Sequence, residues 1–272
     1  ENGLSVLRLN KDEQTYLNSF YVVRKGCFVN NIEYVRINHP GYYWDEKDCL
    51  VAKCSDGGMQ LIGTDGMPIN GKTYYEIVID EDSVIRAISY DAQANYKRAG
   101  MTTLHNYAGE KISNKEFYKV DAFSDGVAWA TITKEDEKRS SRSLIDRSGT
   151  ILFNIKSNVI RCIGFSEGIG WYSSSFNPIQ YTAIDKTGKD LFQIQAYNVY
   201  PFTMGLAPVE KKIAASNVVK LGFVDAFGKT VIPFKYKLKY SNPHFGPDSL
   251  MNGVQLDGVK GKLHRNGTFI PD

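Results

Sequence analysis

The sequence predicts an all-β fold: a seven-bladed β-propeller made of seven repeats of about 40 residues, with an open β-solenoid of the same repeats as the alternative. Three observations predict it. A glycine recurs at Gly26, Gly66, Gly109, Gly149, Gly188, Gly228 and Gly267, at spacings of 40, 43, 40, 39, 40 and 39 residues. Each unit holds three or four short apolar stretches of strand type, separated by turn residues. No segment sustains a 3.6-residue apolar period, and only Tyr90 to Arg98 reads as a short helix. Seven copies without a polar capping copy at either end favour closure, because an open stack exposes its terminal apolar faces. The chain therefore reads as one repeat domain, 1–272, with approximate repeats 1–41, 42–81, 82–121, 122–163, 164–200, 201–243 and 244–272.

The elements of one unit follow in order. It opens with an aromatic-x-x-Gly, as in Phe123-Ser124-Asp125-Gly126, Phe165-Ser166-Glu167-Gly168 and Phe202-Thr203-Met204-Gly205. A short apolar strand follows, with a small residue inside it (Ala128, Gly170 or Ala207) that is expected to let neighbouring sheets approach. After a variable stretch, a second strand ends in Asp-x-x-Gly. There Asp146, Asp185 or Asp225 caps the turn and the glycine takes the positive-φ position of a bulged hairpin. Asn106 and His264 replace the Asp in two degenerate copies, while Val23 and Gly63 abandon the cap. A third strand comes next, such as Thr150 to Phe153, and a fourth, such as Val159 to Ile163, leads to the next aromatic.

These residues resemble the bacterial WG repeat family, whose units carry an F-x-x-G-L-A opening and a K-W-G-Y-I-D-x-x-G-K second half. The best copy runs from Phe202-Thr203-Met204-Gly205-Leu206-Ala207 to Lys220-Leu221-Gly222-Phe223-Val224-Asp225-Ala226-Phe227-Gly228-Lys229. The Trp-Gly pair is lost: Leu221-Gly222 and Lys260-Gly261 keep the glycine, and Tyr181-Thr182 keeps an aromatic. The resemblance implies a repeat scaffold used for binding or interaction, with no catalytic residues to carry over.

Composition agrees with a globular protein and excludes some functions. At 42% apolar and 23% charged, with a net charge of +3, the chain is neither disordered nor an electrostatic nucleic-acid binder. No apolar run reaches the 18 or so residues of a membrane-spanning helix. The first residues lack a signal peptide's basic and apolar regions, and an extracytoplasmic location after removal of such a segment is favoured over the cytoplasm. Cys27, Cys49, Cys54 and Cys162 include no Cys-x-x-Cys pair and read as unpaired and incidental. A monomer without cofactor or metal is expected.

Several motifs imitate active sites. Gly66 to Thr73 matches G-x-x-x-x-G-K-[ST], but a strand-like run, Tyr74 to Ile79, follows where a phosphate-binding helix is required. Gly164-Phe165-Ser166-Glu167-Gly168 matches G-x-S-x-G, yet Ser124 and Thr203 occupy the same repeat position and no helix follows. His39, His105, His244 and His264 lack metal-ligand spacing, and Asp80-Glu81-Asp82 lacks the ligand alternation of a calcium loop. Asn266-Gly267-Thr268 is a formal glycosylation sequon in a repeat turn, and Lys134 to Arg139 reads as a solvated loop tip.

Aromatics remain as the functional signal. Trp129 and Trp171 share a position in consecutive copies and read as core between blades. In Tyr42-Tyr43-Trp44, Tyr74-Tyr75 and Trp171-Tyr172 adjacent rings point to opposite faces, so one of each pair meets another sheet, a groove or solvent. Tyr43, Trp44, Tyr75 and Tyr172 are the candidate ligand-binding residues, and no catalytic residue is named. The expected function is a non-catalytic module that recognises a protein or a glycan. The alternative is a propeller-fold glycan-active enzyme, a hydrolase or lyase, with a carboxylate pair drawn from different blades.

Overall fold

The structure is a computed structural model. It describes residues 4–12, 17–24, 27–29, 32–38, 49–80, 82–91, 99–139, 141–155, 159–175, 179–213, 218–239 and 243–272. Gly26, His39, Tyr43 and Trp44 lie outside the described residues, as does most of the helix expected at 90–98. The chain is all-β. By contact it forms two compact units: Glu1–Phe123 with Ala130–Thr133 and Asp146–Thr150, and Ser124–Trp129 with Lys134–Ile145 and Ile151–Asp272.

In the first unit, β1 (Leu4–Asp12), β2 (Leu17–Arg24), β3 (Cys27–Phe28), β4 (Tyr34–Asn38), β5 (Leu50–Cys54) and β6 (Met59–Ile62) build one antiparallel sheet, ordered β1-β2-β4-β5-β6 with β3 on β2. A second sheet follows from β7 (Glu76–Ile79), β8 (Ile85–Tyr90) and β9 (Ala99–His105). Strand β5 shows why the run Cys49-Leu50-Val51-Ala52 is apolar throughout. Leu50 and Ala52 enter a core with Val22, Tyr34 and Ile62, while Cys49 and Val51 enter another with Leu61, Tyr74 and Ile85. Side chains alternate across a strand, so a continuous apolar run buries both faces.

The next sheet is a four-stranded meander: β10 (Lys119–Val120), β11 (Val127–Thr131), β12 (Arg142–Asp146) and β13 (Ile151–Ile155). Between β11 and β12 the charged run read as a loop tip forms the short helix α1 (Lys134–Lys138), none of whose residues is buried. Glu135, Asp136 and Glu137 in its first turn complement the helix dipole.

The second unit holds β14 (Arg161–Ser166), β15 (Ile169–Ser173), β16 (Gln180–Asp185) and β17 (Asp190–Gln195) as another meander. It ends with β18 (Asn198–Val199), β19 (Ala207–Lys212), β20 (Val219–Val224), β21 (Thr230–Leu238), β22 (Leu250–Leu256), β23 (Val259–His264) and β24 (Phe269–Pro271) in one sequential sheet. Strand β21 is shared: Ile232 and Tyr236 pair with β20, and Lys237 and Leu238 pair with β22.

Cores lie between successive groups of strands. Trp129, Leu144, Phe165 and Ile184 form one; Trp171, Tyr181, Phe202 and Val209 form the next; Phe223, Tyr236, Met251 and Leu263 form the third. The two tryptophans are core and hold equivalent places. The Trp129 indole N–H donates to the Ile163 carbonyl at 3.1 Å, and that of Trp171 donates to Tyr200 at 3.2 Å, each two residues before the next opening Phe. Each indole also meets the third-strand Phe edge-on, Phe153 at 5.8 Å and Phe192 at 5.4 Å.

The hydrogen-bonded unit is out of phase with the sequence unit. The strand that leads into Phe165 does not close the preceding sheet; β14 pairs with β15 through Ser166↔Ile169 and Ile163↔Trp171. The cause is the turn. Glu167 (φ 54) and Gly168 (φ 82) both have positive φ, as do Asp125 with Gly126 and Met204 with Gly205, which is the type I′ geometry that joins two strands by two residues. The small residue in the first strand also acts differently from expectation. A Cβ on Gly170 would lie 2.5 Å from the Phe165 ring, so Gly170 makes room for an aromatic of its own hairpin.

Candidate functional site

The described repeat turns are one local structure. Gly66, Gly109, Gly149, Gly188, Gly228 and Gly267 have φ between 76° and 91°. Their N–H groups donate to Gly63, Asn106, Asp146, Asp185, Asp225 and His264 carbonyls at 2.8–3.1 Å. Oδ1 of Asp146 accepts from the Ser148 and Thr150 N–H groups, that of Asp185 from Thr187 and Lys189, and that of Asp225 from Phe227 and Lys229. The Asp185 carboxyl is held below its usual range, first by the Thr187 hydroxyl. The substitutes cap as well: Asn106 accepts from Glu110, and His264 Nδ1 from Asn266. Gly228 has a second reason to be glycine, since a Cβ there would lie 2.5 Å from the Phe192 ring.

The motifs that imitate catalysis are absorbed by the same scaffold. Ile69–Gly71 is one 3₁₀ turn, and Thr73 leads into the bridge Tyr74↔Met59 instead of a helix. The Ser166 hydroxyl donates to the Phe202 carbonyl at 2.7 Å. His105 is buried, with Nδ1 3.0 Å from the Gly109 carbonyl and Nε2 3.0 Å from Thr103 Oγ1. Asp80 is buried against Arg86 at 2.7 Å and accepts from the Phe123 N–H. Cys49, Cys54 and Cys162 are thiols, and burial pushes the Cys54 thiol up. Among the described residues no three His, Cys, Asp or Glu side chains gather as a metal site, and no helix is long and apolar enough to cross a membrane.

Of the two described candidate aromatics, Tyr75 sits in the more built surface. Main-chain bonds pin the segment on both sides: Tyr74 exchanges hydrogen bonds with Met59, and the Tyr75 N–H donates to Ile88 at 2.8 Å. Tyr74 therefore turns into the core and Tyr75 outward, 39% exposed. The Tyr75 ring meets Tyr90 edge-on at 5.8 Å and 89°. The Tyr90 hydroxyl and the Thr73 methyl sit on Gly58, where a Cβ would meet them at 2.9 and 2.4 Å. Gln60 completes the surface; it donates to Thr73 Oγ1 and accepts from the Tyr34 hydroxyl, each at 3.2 Å. A fixed aromatic edge beside an oriented amide suits a ligand with an apolar face and hydroxyls at its rim.

Tyr172 belongs to the other unit and differs. It packs half-buried against the Trp129 core, and its hydroxyl is 3.3 Å from Asp190 Oδ1. Burial raises its pKa. That engagement leaves Tyr172 less to offer a ligand than Tyr75.

Among the described residues two clefts open on the final strands. One, of about 570 Å³, is lined by Leu238, His244, Gly246, Pro247, Asp248, Leu250, Met251 and Asn252. The other, of about 200 Å³, is lined by Lys239, Asn252, Gly253, Val254, Lys260, Gly261, Lys262 and Asp272. Sequence reasoning missed both, although the alternation Lys235-x-Lys237-x-Lys239 marks one cationic strand face.

Comparison with known proteins places the fold and the repeat. The chain is similar to a crystal structure of a eukaryotic initiation factor, with TM-score 0.54 and 7% identity over 99% of this chain and 73% of that one. At that identity the likeness is one of fold. KlHsv2 with a replaced loop gives TM-score 0.47 and 8% identity over 95% and 90% of the two chains. The Dos1 propeller gives 0.41 and 10% over 99% and 83%. No curated protein matches the chain. Residues 222–238, from Gly222 through β21, match the family model of the WG containing repeat, a stretch that overlaps the second half of the copy running from Phe202 to Lys229, and there the chain is similar to that family.

Proposed function

We propose that the chain is a non-catalytic binding module that recognises a glycan on the surface formed by Tyr75, Tyr90, Thr73 and Gln60. The observation that carries the reading is the outward Tyr75 ring, fixed edge-on against Tyr90 beside an amide held by two partners. A pyranose stacks its C–H face on such a ring and bonds its hydroxyls to the flanking side chains. Support also comes from where the carboxylates go. Asp146, Asp185 and Asp225 cap turns, and each cleft on the final strands is lined by a single acidic residue, Asp248 or Asp272. Most glycoside hydrolases work with two carboxylates facing one substrate.

The test is a glycan array with the purified chain, followed by titration of the best member against Tyr75→Ala. Saturable binding, weakened about tenfold or more in the variant at unchanged melting temperature, is the expected result for loss of a stacking ring. Binding by neither protein, or equal binding by both, would overturn the reading.

A further inference from the structure

The net charge of +3 conceals a strongly cationic face on the final strands. Lys237 on β21 lies two strands from Lys260 on β23, with Gln255 of β22 between them in register. The next row on that face runs from Lys239, whose N–H donates to the Gly253 carbonyl at 2.8 Å, across Gly253 toward Lys262. All four lysines are exposed. Residues two apart on a strand are separated by roughly 7 Å and next-but-one strands by roughly 10 Å, so four ammonium groups on flexible stems border one small patch.

A slip in strand register hollows the middle of that patch. Between Met251↔Leu263 and Val254↔Gly261 the register slips, and Asn252 and Gly253 together oppose Lys262 as a β-bulge. Gly253 takes φ 72 and contributes no side chain. The result is the cleft of about 200 Å³ lined by Lys239, Lys260, Lys262, Asn252 and Asp272. At about 30 Å³ per water this is room for roughly seven waters, which admits one or two tetrahedral oxyanion groups. Lys239, Lys260 and Lys262 bring ammonium groups to the cleft, and Asp272 brings the acidic side chain in its lining.

We propose that this cleft binds a compact, multiply charged oxyanion of the pyrophosphate or sulfate-ester class, held by Lys239, Lys260 and Lys262 with the Asn252 amide as a further donor. The ligand is either a free anion or the charged group of a sugar. Asp272 opposes it and sets an upper limit on affinity. The site is independent of the Tyr75 surface.

Calorimetric titration at low salt with inorganic pyrophosphate, and separately with a disulfated disaccharide, tests the assignment. Saturable binding of pyrophosphate supports a free anion; binding of the disaccharide alone supports the same group carried on a sugar. Lys260→Gln with Lys262→Gln is expected to weaken binding about tenfold or more, while Asp272→Asn tightens it several-fold. The charge-matched control Lys134→Gln with Lys138→Gln, on α1, should leave affinity unchanged. Failure of both probes to bind saturably, equal weakening by the control, or no gain in Asp272→Asn would overturn the proposal. A gain of affinity cannot come from a folding defect, so the last variant decides the matter even if the double lysine variant melts early.

Discussion

The Glu167 carboxylate holds the Met204 turn: Oε1 accepts from the Met204 N–H at 2.6 Å and Oε2 from the Gly205 N–H at 2.8 Å. One hairpin tip thereby caps the next. Asp125 does the same one step earlier, accepting from the Gly168 N–H at 2.7 Å while paired with Lys186 at 3.1 Å. Met204 occupies the equivalent position with a thioether and cannot continue the series as an anion. Glu167→Ala is expected to lower stability by about 1 kcal/mol, the scale of charge-assisted bonds at an exposed site, with Glu167→Gln intermediate. Urea denaturation at constant m-value checks it.

Trp171 is fully buried, stacked on Phe202 at 5.7 Å and 8°, and hydrogen-bonded to Tyr200. Trp171→Ala removes a large core ring and leaves the Tyr200 carbonyl without that donor. A loss of about 3–5 kcal/mol is expected, a large fraction of a domain's stability. Trp171→Phe should retain more, and thermal melts of the two variants would order them.

Gly170 and Phe165 form a size-matched pair within one hairpin. Gly170→Ala forces a methyl group against the ring and should cost about 1–3 kcal/mol. Combining it with Phe165→Leu should cost less than the sum of the single changes. Strict additivity in this double-mutant cycle would show that the contact does not constrain the site.

His105 gives the fold a defined acid sensitivity. Burial lowers its pKa from 6.5, and the nearby Lys111 and Lys72 act in the same direction, against the bond to the Gly109 carbonyl. With the folded pKa below the unfolded one, the unfolded chain binds the proton first. The stability from the neutral ring is present above pH 6.5 and declines as pH falls through the folded pKa. His105→Asn should flatten melting temperature against pH over that window.

The parts of the fold written in short-range signals were legible. Asp146, Asp185 and Asp225 stand three residues before a glycine because cap and turn are local. The all-β class followed from the same punctuation. The phase of the sheets was not legible, because Gly168 reads equally as the start of a unit or as half of a two-residue hairpin; only the positive φ of Glu167 decides. Tyr75 was legible as a candidate, since adjacent rings must diverge. Which ring faces outward depended on Met59 and Ile88, remote partners that sequence spacing does not name. The cationic cleft was half legible: Lys237 and Lys239 alternate visibly, but their meeting with Lys260 and Lys262 needs β22 and its bulge between them.

Strand β21 bears on how such a chain can be edited. Its first part completes one meander and its last part begins another, so the period visible in the sequence is not a cassette that can be excised there. Removal of β22 to β24 would strip Lys237 and Leu238 of their partners and leave a raw sheet margin open to other chains. Insertions and deletions in this protein should therefore be tolerated in the variable stretches inside a repeat, such as the one that holds α1, sooner than at the seam between two.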